Sequence, residues 1–273
     1  MRQQLLLREL VGPRRDRSSL LAGHLERCRI PCEWIQTAGS RHLLVHAPRF
    51  DESHGTRLVF TAHYDRHPRS PGANDNASAV ASLLAWLENA WEHLPSHISV
   101  LFTDREEILK NEALDEQGSF GLGAWFRKRS LFQQVFVHFD AFGRGDVPVL
   151  STTTSLLMQE KGFSPLARLG AQKRRGLETL LSDKLENFGV RRLATPLSDD
   201  VGFVMQGFGA LLLTCLPRAE ADAWESRRQW PETWRMLNSP ADRPQTLTAQ
   251  APDLMEKILD RLTGWRQAAS SAA

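Results

Sequence analysis

Three apolar runs and one turn in this chain end in a histidine or a carboxylate, and the residue types collected there are those of a metal centre. In Leu58-Val59-Phe60-Thr61-Ala62-His63-Tyr64-Asp65 the histidine stands at the end of the run. Asp65, two residues on, can accept the other ring N–H of a metal-bound imidazole and fix its tautomer. In Pro71-Gly72-Ala73-Asn74-Asp75-Asn76 a turn delivers Asp75 just before an apolar helical pattern. Asp75 or Asn76 can cap that helix, and a carboxylate placed there can equally bridge two ions. The run Ile98 to Thr103 leads into Glu106-Glu107, a pair able to divide the labour, one binding metal while its neighbour moves a proton. Val135 to Phe139 leads into Asp140. A lone His-x-Asp more often marks a satisfied surface histidine, and a lone acidic pair a solvated loop. Four such ends in this order point to a metal site.

The elements that must position these groups follow from periodicity. Strand-like runs occur at His42–Ala47, Leu58–His63, Ile98–Thr103, Val135–Phe139, Val147–Leu150 and Ala210–Thr214. Helical patterns lie among them at Ala77–Trp91, Leu122–Arg129, Leu177–Asn187 and Asp253–Trp265. An amphipathic helix at 17–29 precedes them, with Leu20, Leu21, His24 and Leu25 on one face and Asp16 or Ser18 as its cap. Strands alternating with helices predict an α/β protein, a three-layer αβα sandwich with a mainly parallel, mixed central sheet. No repeat, low-complexity tract or linker divides residues 1–273, so one domain is expected. In such sheets the ligand crevice lies beyond the carboxyl ends of the strands, where the candidate residues fall.

Composition narrows the partners. With 34 basic and 32 acidic residues the formal charge is +2, too balanced for nucleic acid or an anionic membrane as the main partner. Basic runs at Lys173–Arg175 and Arg191-Arg192 read as solvated surface. Met1 to Leu10 is interrupted by Arg8 and Glu9 before a signal-peptide core can form and reads instead as an amphipathic helix; no stretch approaches a membrane span, so a cytoplasmic location is expected. Cys28, Cys32 and Cys215 form no disulfide framework. They read as packed, reduced thiols in preference to a Cys28–Cys32 metal or redox pair, which Pro31 interrupts.

AHYD, PGANDNASAV, the Glu-Glu pair, FD and Ser198-Asp199-Asp200-Val201-Gly202-Phe203 together resemble metallopeptidase family 28. That family holds zinc aminopeptidases, carboxypeptidase-like members and glutaminyl cyclases. The resemblance runs from about Leu7 to Leu262 and is most specific from His63 to Val80. It implies a zinc-exopeptidase type of fold, with His63 and Asp140 as ligands of one zinc, Asp65 orienting His63, and Asp75 bridging two ions across a cis Asp75–Asn76 peptide. It further implies Glu106 as general base and Glu107 as ligand of a second zinc.

Asp200 falls where the family carries a histidine, in Ser-Asp-His-x-x-Phe, and no histidine follows His138. Asp200 is the expected last ligand, with Asp199 as the alternative, and oxygen in place of nitrogen makes manganese or magnesium more compatible. The stretch Ile108–Gln117 is longer than in typical aminopeptidases and offers Asp115-Glu116 as a competing pair; Glu106 and Glu107 are preferred because they directly end the strand. Asn238-Ser239-Pro240-Ala241-Asp242 resembles the family's His-Thr-Pro-Ala-Asp loop. The implied activity is hydrolysis of the N-terminal residue of a small peptide with a free amine, using one or two zinc ions. The alternatives are a glutaminyl cyclase, with one zinc at the positions of Asp75, Glu107 and Asp200, and a scaffold that has lost activity. Trp224, Trp230 and Trp234 either line a substrate pocket or pack together.

Overall fold

The structure is a computed structural model that describes residues 2–12, 16–50, 55–108, 112–160 and 162–264. Trp265, the expected end of the last helix, Met1 of the expected 1–10 segment and residues 109–111 of the Ile108–Gln117 stretch lie outside the described residues.

Among the described residues eight strands form one sheet: β1 Glu33–Thr37, β2 Ser40–His46, β3 Arg57–His63, β4 Ile98–Thr103, β5 Gln134–Phe139, β6 Val147–Ser151, β7 Arg191–Leu193 and β8 Gly209–Leu216. Their spatial order is β1-β2-β4-β3-β5-β8-β6-β7. The four central strands, β4, β3, β5 and β8, are mutually parallel. Antiparallel contacts join β2 to β4 and β6 to β8, so the sheet is mixed as expected. β1 and β7 were not anticipated. β1 is mostly exposed and β7 has three residues, so neither carries an apolar run.

Ten α-helices among the described residues complete the fold: α1 Arg2–Val11, α2 Arg17–Arg27, α3 Ser78–Ala90, α4 Gly118–Lys128, α5 Thr153–Leu157, α6 Pro165–Leu185, α7 Asp200–Met205, α8 Arg218–Arg227, α9 Glu232–Met236 and α10 Gln250–Thr263. Asp16 caps α2, its carboxylate accepting from the Ser18 N–H, and Ser164 caps α6 ahead of Pro165. α6 begins twelve residues before the expected helix, because its first half presents charge to solvent and shows little apolar period.

Alternate residues of each central strand enter different cores, as the two-residue period dictates. Phe60, Val100, Phe102, Val137, Phe139, Leu211 and Leu213 pack under α1, α2, α3 and α10. Val59, Leu101, Phe136 and Ala210 pack under α4 and α7, where the Phe136 and Phe203 rings stack at 3.9 Å. Burial on both faces is why these strands read as unbroken apolar runs. The chain leaves β3 through α3 on one face to reach β4, then returns through α4 on the other face to β5. The reversal of winding opens a crevice at the carboxyl ends of β3 and β5.

Candidate metal centre

His63 and Asp140 emerge at the ends of adjacent parallel strands, so register alone brings them together. His63 Nε2 lies 3.3 Å from Asp140 Oδ1 and 3.1 Å from Asp75 Oδ1. The three residues form a cluster whose donor atoms all lie within 4.8 Å of one another. On the other side of the ring, Nδ1 lies 3.3 Å from Asp65 Oδ1. His63 is wholly buried, and burial disfavours its charged form. Asp140, Asp65 and Asp75 outweigh that effect and raise its pKa well above the ordinary value. Asp140 is held at about 2: burial opposes its ionisation, but His63 and the hydroxyl of Ser198, which donates to Oδ2, prevail.

Asp75 reaches the cluster on a tightly held loop. Gly72 stands at φ 63°, and a Cβ there would lie 2.6 Å from the Asp75 carbonyl oxygen, so only glycine fits. The Asp75–Asn76 peptide is cis. The N–H groups of Asn74 and Asp75 both donate to the Asp242 carboxylate. Arg17, at the start of α2, donates to the carbonyls of Tyr64, Asp65, Pro71 and Gly72, tying the His63 loop to the Asp75 loop.

Asp65 also accepts from the backbone N–H groups of Glu106 and Glu107, one on each oxygen. It therefore couples the imidazole to the acidic pair. The Gln117 side-chain amide donates to the Glu106 carbonyl. Burial first, then neighbouring acids, pushes Glu107 up to about 8 and Glu106 well above the usual range. The competing pair, Asp115-Glu116, lies in a short 3₁₀ turn, where Glu116 pairs with Arg105.

Asp200 does not join the cluster. It opens α7 and turns toward α5 and α6, where Oδ2 accepts from the Thr154 hydroxyl at 2.7 Å and lies 3.9 Å from Arg174 Nε. Asp199 points the other way. Its Oδ2 accepts from Thr103 at the end of β4, its Oδ1 is buried without a partner, and burial lifts its pKa to about 7. The sequence reading missed Arg17, Gln117, Ser198 and Asp242 as positioning groups. Only Asp242 and Ser198 carried a signal, standing inside motifs already quoted.

These residues fit a divalent cation. Glu107 Oε1 is buried without a hydrogen-bond partner, and Asp75 Oδ1 is buried with the His63 ring facing it. Among the described residues no lysine or arginine pairs with Asp75, Asp140, Glu106 or Glu107, so a concentration of carboxylates faces one imidazole uncompensated. Trp234 and Leu237 line a small cleft beside Asp140 and Ala141; Trp224 packs edge-on against Trp230 and Trp234, and Trp230 lies tilted against Trp234.

Residues 45–261 match the model of peptidase family M28. No curated protein matches the chain by sequence. Among solved structures, the fold is similar to that of a glutaminyl cyclase from Porphyromonas gingivalis, with a TM-score of 0.66 at 15% identity, over 96% of each chain. The LapA aminopeptidase of Legionella pneumophila gives 0.66 at 14% identity, over 96% of this chain and 71% of that one. A Zn-dependent exopeptidase from Parabacteroides distasonis gives 0.65 at 14%, over 96% of each. At these identities the likeness is one of fold. With a family match spanning most of the sheet and every strand end that carries a candidate ligand, the chain belongs to peptidase family M28.

Proposed function

We propose that the protein is a zinc-dependent exopeptidase of the aminopeptidase kind, in which His63, Asp75 and Asp140 hold the ion and Glu106 moves the proton. The observation that carries this reading is the buried convergence of those three donor groups, with His63 Nε2 facing both Asp75 Oδ1 and Asp140 Oδ1, beside the carboxyl of Glu106. Imidazole with carboxylates suits zinc, and two solved structures of this fold are described as a Zn-dependent exopeptidase and an aminopeptidase. Any second ion would rest on Asp75 and Glu107 without Asp200.

When bound, the ion supplies a Lewis acid to the peptide carbonyl and to the attacking water. The chain's residues do the rest. Asp65 holds His63 by Nδ1 so that Nε2 faces Asp75 and Asp140. Ser198 occupies one oxygen of Asp140 and leaves the other for the site. Asp65 also fixes the backbone of Glu106, whose carboxylate accepts a proton from water and returns it to the leaving amine. The free amine of the substrate meets the acidic groups around Glu107, and its first side chain meets the cleft of Trp234 and Leu237.

A glutaminyl cyclase is the second reading because a solved structure of the same fold is a glutaminyl cyclase. The engagement of Asp200 by Thr154 and Arg174 speaks against it, since the cyclase arrangement expected from the sequence uses the Asp200 position. Chelator-stripped protein reloaded with zinc should release the chromophore from an aminoacyl anilide. Glu106→Gln should lower kcat by at least about 100-fold with zinc content unchanged. Zinc-loaded protein that is inert on anilides but frees ammonia from N-terminal glutamine would transfer the assignment to the cyclase. Inertness on both would leave a scaffold.

A further inference from the structure

α2 and α3 meet outside the strand-end centre, and at their contact lies a second convergence of ligand atoms. His24 stands in the last turn of α2, Cys28 caps its end, and Glu88 lies in the last turn of α3. A spacing of four puts His24 and Cys28 on one helix face. His24 Nε2 is 3.6 Å from Cys28 Sγ and 3.7 Å from Glu88 Oε2, and all three donor atoms lie within 4.8 Å of one another. All three residues are partly buried.

Those separations have a geometric meaning. With zinc–nitrogen and zinc–oxygen bonds of about 2.0–2.2 Å and zinc–sulfur of about 2.3 Å, tetrahedral ligands lie roughly 3.4–3.6 Å apart. An N–H···O hydrogen bond instead spans about 2.7–3.2 Å. The His24–Glu88 distance is therefore long for a hydrogen bond and close to the edge of a coordination tetrahedron. A cavity of about 520 Å³ opens beside the cluster, lined by Leu5, Leu6, Glu9, Leu20 and Arg27, and leaves room for a solvent ligand in the fourth position.

We propose that His24, Cys28 and Glu88 form a separate site for a borderline-soft divalent cation, zinc foremost. A thiolate, an imidazole and one carboxylate select against magnesium and calcium, which take all-oxygen shells. On binding, the Cys28 thiol gives its proton to solvent, His24 binds as neutral imidazole and Glu88 as carboxylate. The ion clamps α2 to α3. α2 starts at Arg17, which holds both ligand loops, and α3 starts directly after the loop of Asp75, so the clamp braces the scaffold of the strand-end centre from behind. The proposal stands independently of the peptidase reading.

Cobalt(II) titration of the chelator-stripped full chain tests it, because a thiolate–cobalt charge-transfer band can arise only from a cysteine ligand and the strand-end centre has none. The band should appear in the wild type, in Asp140→Asn and in Cys32→Ser, vanish in Cys28→Ser, and be displaced by zinc. Glu88→Gln should weaken cobalt binding by roughly tenfold or more. Absence of the band from the wild type, or its persistence in Cys28→Ser, overturns the proposal. Should Cys28→Ser fail to fold by circular dichroism, His24→Ala and Glu88→Gln decide, and an unchanged titration in both overturns it.

Discussion

Asp65 is bonded on three sides, to the His63 ring and to the backbone of both Glu106 and Glu107. A partner of this kind, holding a ligand's far nitrogen, is worth about 10–100-fold in metal affinity. Asp65→Ala should therefore weaken zinc binding by that factor in calorimetric titration, and an unchanged affinity would remove its positioning role. Asp200 is expected to behave in the opposite way. Asp200→Asn should leave zinc affinity unaltered and change the pH dependence of stability. Burial raises Asp200 to about 6, against Arg174 and the Thr154 bond, which lower it. A carboxyl with a higher pKa folded than unfolded lends stability that is complete below its unfolded value, near 4, and lost as pH rises through 6. Two pKa units correspond to about 3 kcal/mol. In urea melts the Asn variant should gain on the wild type by up to that amount between pH 4 and pH 7; a difference that stays constant with pH would contradict this.

At the scale of elements, the ends of β3, β4 and β5 deliver the chemistry, and α2 holds it in place through Arg17. Its guanidinium donates to five carbonyls, those of Leu10, Tyr64, Asp65, Pro71 and Gly72. Burial lowers its pKa only to about 10, so it is charged at neutral pH. Arg17→Met leaves those carbonyls unsatisfied and should reduce unfolding free energy by at least about 3 kcal/mol in chemical denaturation. Arg17→Lys should not restore it, because a compact ammonium with three donors cannot reproduce a planar fork with five. Elements with apolar runs were legible in the sequence: β2 to β6, β8, α3 and α10 fall close to the expected spans. β1, β7 and α8 were not, because short or charged segments owe their structure to docking and carry weak periodicity of their own.

Across the whole molecule, the largest core runs without a break from Leu6 and Leu10 of α1 through β2, β3, β4, β5, β6 and β8 to Met255, Ile258 and Leu259 of α10. Such continuity argues for a single cooperative unit. Metal-free protein should unfold with coincident transitions by far-ultraviolet circular dichroism and by tryptophan fluorescence, and resolved transitions would mean two independently folding parts. Among the described residues no helix is long and apolar enough to cross a membrane. The sequence by itself determined the family, the mixed α/β sheet and the strand ends that bear His63, Glu106, Glu107 and Asp140, since runs buried on both faces stand out locally and the residue after each run must sit at the sheet edge. Tertiary structure alone decided which acids converge. Asp199 and Asp200 are neighbours in the chain, but the turn that starts α7 sends one toward Thr103 and the other toward Arg174. It alone also brought Arg17 and Asp242 to the Asp75 loop and Glu88 to His24 and Cys28, because contacts between residues tens or hundreds of positions apart depend on how helices dock, which no local pattern encodes.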